Sequence, residues 1–235
     1  MPPPDGGFEP ATTLPGVDWN VVARRSEERY ADGLRRLPDE PDARQKQLVR
    51  MATAAGAAGL AALMQGRGDA GEWFVRSAER YRESFGGAPA ESWGRLIGAL
   101  KSRLLAGDDI GAVRDARWAL EQGPERAESP VGRYAAALAR LVLGEDEHAA
   151  KAASTLTERD DFPAGVARAL LALAEHDGAG YSAALPVVLT SFEDRERYLE
   201  DAPVADTVLV LERLARARGM AVEPASHTLP AVATF

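Results

Sequence analysis

Residues 92–124, SWGRLIGALKSRLLAGDDIGAVRDARWALEQGP, read as a complete helix–turn–helix unit. Trp93, Leu96, Ile97, Leu100, Leu104 and Leu105 recur at helical spacing before Gly107-Asp108. Ala112, Ala116, Ala119 and Leu120 then follow, up to Pro124. Each feature has a mechanical role. A glycine past a helix end takes the left-handed cap, alanines let the return helix lie close to the first, and proline stops continuation. The chain on either side reads as looser copies, which predicts a right-handed stack of helical hairpins.

Working toward the amino end, residues 72–85 give a return helix with Trp73, Phe74, Ala78 and Tyr81 as apolar bulk, closed by Gly86-Gly87-Ala88-Pro89. Ahead of the turn Gly66-Arg67-Gly68-Asp69, residues 42–65 read as one helix, with Gly56 and Gly59 among small apolar residues. Interior glycines cost roughly 0.5–1 kcal/mol each against alanine, so they are expected where another element packs closely. Asp18 caps a leading helix through about Leu37. Residues 1–17, with prolines at 2, 3, 4, 10 and 15, are expected to form an extended or disordered arm.

Toward the carboxyl end, Ser129, Pro130 and Gly144 supply an N-cap, a first helical position and a C-cap for a third hairpin. A fourth starts at Pro163, turns at His176-Asp177-Gly178 and returns through Tyr181–Thr190, with Pro186 inside the return helix. Ser191-Phe192-Glu193-Asp194 resembles a capping box opening a short charged helix to Asp201. A last apolar helix spans 203–218, capped by Gly219, and a tail of 220–235 lies extended over the stack. The domain reading is therefore an arm, one helical repeat domain over 18–219, and the tail.

Turn glycines 68, 107, 144 and 178 stand 39, 37 and 34 residues apart, within the range of helical-hairpin repeats. Ala112, Ala116, Ala119 and Pro124 follow Gly107 at plus 5, 9, 12 and 17. The same offsets from Gly144 give Ala149, Ala153 and Leu156 at the first three. These offsets resemble the tetratricopeptide repeat, which implies an all-α, right-handed helical-hairpin solenoid of about nine to eleven helices.

The totals narrow the function. Of 235 residues, 46% are hydrophobic and 27% charged, and cysteine is absent, which excludes disulfides, thiolate metal sites and a cysteine nucleophile. A net charge of −8 argues against nucleic acid as a partner and favours basic ones. The amino end lacks a basic start followed by an apolar core, and the apolar run 51–64 is too short to span a bilayer, so a cytoplasmic location without membrane contact is expected.

No catalytic constellation stands out. His148, His176 and His227 lack metal-ligand spacing. Glu145-Asp146-Glu147-His148 lacks the alternation and glycine of a calcium loop, and the pairs Asp108-Asp109, Asp160-Asp161 and Glu200-Asp201 fall at helix boundaries, where carboxylates cap helices. Phosphate-loop, nucleophile-elbow and dinucleotide signatures are missing. A non-enzymatic protein without cofactor or metal is expected. The repeat resemblance puts first helices on the concave face, with Gln65, Lys101, Tyr134 and Arg168 as partner-binding candidates.

The carboxyl third carries Asp201-Ala202-Pro203, an apolar helix ending Ala217-Arg218-Gly219, then Val222-Glu223 and Leu229-Pro230. This resembles the close of the immunity protein 49 family, all-helical antidotes found near polymorphic toxins. The resemblance implies neutralisation of a cognate toxin by covering it. The alternatives are a helical sensor that encloses a small molecule or peptide, and an enzyme with an unrecognised site.

Overall fold

The computed structural model describes residues 17–198 and 202–231, and within them the chain is all-helical, with no strand. Its helices are α1 (Trp19–Arg35), α2 (Pro41–Met64), α3 (Ala70–Phe85), α4 (Trp93–Ala106), α5 (Asp109–Glu121), α6 (Pro130–Leu143), α7 (Asp146–Thr157), α8 (Ala164–Ala174), α9 (Gly178–Glu193) and α10 (Asp206–Arg216). A single 3-10 turn, Pro124–Arg126, joins α5 to α6. The expected arm falls outside the described residues, apart from Val17, which packs against the core.

Local chemistry sets the helix ends. Asp18 accepts from the amides of Asn20 and Val21 at 3.0 and 3.2 Å, and Ser129 accepts from Gly132 at 3.3 Å with Pro130 opening α6. The even-numbered helices α2 to α10 all close the same way. A residue with positive φ follows the helix, and the next amide bonds back five residues: Arg67 to Ala62, Asp108 to Arg103, Glu145 to Arg140, Asp177 to Ala172 and Met220 to Ala215, all at 2.9–3.1 Å.

The register of these turns corrects the sequence reading at two places. The left-handed positions are Gly66, Gly107, Gly144 and His176, not Gly68 and Gly178. At the last turn the cap of the next helix decides: Asp177 accepts from the Gly180 amide at 2.9 Å, which makes Gly178 the first residue of α9 and forces His176 to φ +55°. Asp108 does the same for Gly111 at 2.8 Å. A Cβ at either Gly111 or Gly180 would lie 2.2 Å from its capping carboxylate, so the two turns share one device.

Each helix from α1 to α9 packs on its successor, and α4, α6 and α8 also touch in turn. The chain then reverses this local order: α10 packs on α4, α8 and α9. The main apolar core runs through these contacts from Trp19 to Leu229, built largely of alanine and leucine, with two smaller clusters around Met51 and Tyr81. By length and composition alone α2 could cross a membrane, but 72% of its apolar window is buried inside the protein.

Close approach explains the interior glycines. An added Cβ at Gly59 would lie 2.8 Å from the buried Phe74 ring, and one at Gly98 would lie 2.6 Å from the Tyr81 ring. Gly59→Ala is therefore expected to destabilise by about 1–3 kcal/mol despite the better helix propensity of alanine. Gly94→Ala, which meets nothing within 4 Å, is expected to be neutral or stabilising. Urea denaturation of the two variants separates packing from propensity, and equal stabilisation of both would remove the packing explanation.

Two further expectations need correction. Ser191–Glu193 does not open a helix but ends α9, because buried Val188, Leu189 and Phe192 continue its packed face, and Ser191 Oγ donates back to Val188 O at 2.7 Å. The rest of that expected helix is non-helical up to Tyr198, and residues 199–201 lie outside the described residues. The last helix starts at Asp206, not 203, since the Ala205 amide bonds Thr228 O at 2.9 Å and ties this entry segment to the tail.

The described part of the tail is anchored. Glu212 of α10, buried, accepts from Tyr181 Oη at 2.8 Å, from the Val222 amide at 3.1 Å and from the Glu223 amide at 2.7 Å. Thr228 and Leu229 are buried beyond it.

Candidate functional site

The four sequence candidates make different contacts. Gln65 caps α2 and donates to Asn20 Oδ1 at 2.9 Å, joining it to α1. Arg168 is exposed on α8, and its guanidinium bonds Ala164 O of its own helix at 3.2 Å. Lys101 and Tyr134 do come together. Both line a cavity of about 180 Å³ with Phe162, Arg195, Asp206 and Thr207.

This cavity lies where α10 meets α4. Lys101 Nζ pairs with Asp206 and lies 3.2 Å from Thr207 Oγ1, leaving its side chain 17% exposed. Burial, offset in part by the Lys101 charge, pushes the Tyr134 phenol above its usual range. Of the four candidates, Lys101 is thus engaged with the chain's own last helix. Asp206 lies 105 residues from Lys101 in the chain, and nothing local announces the pairing.

A second surface forms on α3, α4 and α5, and no sequence candidate lies on it. Its anchor is Asp115, fully buried on α5. One carboxylate oxygen accepts from Arg103 Nε at 2.8 Å, while the other takes Arg82 Nη1 and Arg114 Nε at 2.5 and 3.2 Å. Arg103, itself buried, also reaches Asp108 at 2.8 Å. The outer two guanidiniums face the surface, Arg82 at 36% and Arg114 at 57% exposure.

Trp118, one turn after Arg114, completes the arrangement. Its ring stands edge-on to Phe85 at 5.4 Å between centroids and lies under the Arg82 guanidinium at 5.0 Å. Two shallow hollows of about 660 and 770 Å³ share Arg82, Arg114 and Trp118 as their common ridge. Ile110 lines the second and is 86% exposed. An isoleucine so exposed beside tryptophan and arginine was visible in the sequence only as a break in the apolar pattern of α5.

Several titratable residues elsewhere are ion-paired. Glu145 pairs with Arg140, Asp109 with Arg213 and Asp161 with Arg159. Asp146 binds both Arg218 and His176, the latter at 2.8 Å. Among the described residues no cluster of three histidine or acidic side chains could hold a metal ion.

Burial of Asp146 opposes its ionised form, but Arg218 and His176 outweigh that and hold its carboxyl below the ordinary 3.8. A lowered native pKa stabilises the fold above the unfolded value, and this is lost as pH falls through the native one. Asp146→Asn is therefore expected to be less stable than wild type from neutral pH down to 3.8, with the gap closing only below it. Thermal melts across that range check the sign.

No protein-family model matches this chain, and neither a curated protein nor a solved structure is significantly similar to it.

Proposed function

We propose that this chain is a protein-recognition module built as a helical-hairpin solenoid, and that its most specific role is to neutralise a cognate toxin by covering it. It acts by binding, without chemistry of its own. The observation that carries this reading is the α3–α5 surface, where exposed Ile110 adjoins Trp118 and the arginines held by Asp115. Tryptophan and arginine dominate the energetics of protein interfaces, and a large exposed aliphatic side chain beside them gains when water is excluded.

The test pairs this chain with the product of the adjacent gene, if that product carries a toxin domain. Co-expression is expected to restore growth, and the two proteins are expected to co-purify. Growth arrest unrelieved by the chain would count against the toxin role, and absence of any complex would count against the module.

A second reading, a small-molecule or peptide sensor, rests on the partly open cavity at Lys101, Tyr134 and Asp206. It predicts a raised melting temperature with a small ligand and no protein partner.

A further inference from the structure

We propose that the ridge formed by Arg82, Arg114 and Trp118, with Ile110 beside it, docks an extended protein segment that presents a carboxylate next to an apolar side chain, with basic residues flanking them. This rests on the reading of the chain as a protein-binding module, and it names the chemistry of the partner.

The centre of the surface is cationic by construction. Three guanidiniums share the single Asp115 carboxylate, and among the described residues only the buried Arg103 has a further acidic partner, in Asp108. Arg82 and Arg114 therefore keep N–H donors that Asp115 does not take, on partly exposed side chains positioned by a buried anchor. Guanidinium donors held in place lose little freedom on meeting a carboxylate, which favours a forked acceptor over a diffuse charge. Arg117, exposed in the second hollow, adds a further positive charge.

The apolar part lies alongside. Ile110 and Val113 line the second hollow and Phe85 the first, with Trp118 between them. An apolar side chain next to the incoming carboxylate reaches these residues while the carboxylate stays at the exposed arginines.

The rims reverse the sign. Glu79 and Glu83 border the first hollow, and Asp109 and Glu121 the second; Glu83 is paired with Arg44 and Arg80 and Asp109 with Arg213, so the negative charge of the rims rests chiefly on Glu79 and Glu121. Basic residues on either side of the acidic anchor complement them, and the net charge of −8 draws a basic partner in at longer range. The same rims oppose a nucleic-acid backbone, whose phosphates would meet carboxylates on both sides of a narrow cationic ridge.

The experiment pans a phage-displayed random dodecapeptide library against the intact chain. Enriched peptides are expected to carry Asp or Glu adjacent to a large apolar residue, flanked by Lys or Arg. Ile110→Arg and Arg114→Glu are each expected to weaken those peptides at least about tenfold while melting as the wild type does. Should Arg114→Glu disturb the Asp115 anchor and fail to fold, Arg117→Glu and Ile110→Arg carry the test. Failure to enrich, enrichment of peptides lacking a carboxylate, or binding unchanged in the folded variants would each overturn the proposal. A toxin that binds Ile110→Arg as tightly as wild type would also remove this site, yet leave the module reading intact.

Discussion

Glu212→Ala is expected to lower the stability of the protein by about 3 kcal/mol or more. The carboxylate gathers three donors, Tyr181 Oη and the amides of Val222 and Glu223, at one buried point. Hydrogen bonds to a charged acceptor contribute about 1.5–3 kcal/mol each, and a buried donor left without a partner costs a further penalty. Tyr181→Phe removes one of the three and is expected to cost about 1.5 kcal/mol.

Burial, reinforced by the neighbouring Glu212 carboxylate, pushes the Tyr181 phenol far above its usual range, so it stays a donor throughout the range of a folded protein. Guanidinium denaturation gives the energies, and hydrogen exchange at Val222 and Glu223 reports whether the tail is released. If Glu212→Ala falls within about 0.5 kcal/mol of wild type, the tail is held by apolar contacts at Leu229 instead.

Asp115→Ala is expected to cost about 3–5 kcal/mol, because it removes the shared acceptor of three guanidiniums and leaves Arg103 buried with Asp108 alone. The source of this loss is the uncompensated charge more than the lost attraction. The double variant Arg103→Met/Asp115→Leu, which replaces the buried ions with apolar side chains, is therefore expected to be more stable than Asp115→Ala alone. Denaturation of both variants checks the order. A double variant less stable than the single would show that the ion network itself supplies the stability.

The two sites hold different parts of the molecule. Glu212 ties the carboxyl tail to α9 and α10, whereas Asp115 ties α3, α4 and α5 together and sets the geometry of the exposed arginines. Loss of the first should leave peptide binding at the α3–α5 face unchanged in the folded fraction. Loss of the second should abolish it, since Arg82 and Arg114 would no longer be held side by side.

What the sequence determined by itself was local. Helical periodicity at Leu96, Leu100 and Leu104, the caps Asp18, Asp108 and Ser129, and the glycines 107 and 144 depend on hydrogen bonds within a few residues, and these gave the helices and most of their ends. Where two local signals competed, the reading slipped. Gly178 looked like a cap, but Asp177 needed that position to start α9, so His176 took the left-handed turn.

The tertiary structure decided everything that depends on distant partners. Lys101 looked exposed on its helix until α10, 105 residues on, placed Asp206 against it. Nothing in the sequence marks Asp115, and only the convergence of three helices makes it a buried anchor. Charges that pair across such separations leave no periodic trace, because neither partner changes the pattern of its own helix. Of the candidates read from sequence, Lys101 is therefore engaged by α10, while the cluster of Trp118 with the Asp115-held arginines came into view only once the helices were packed.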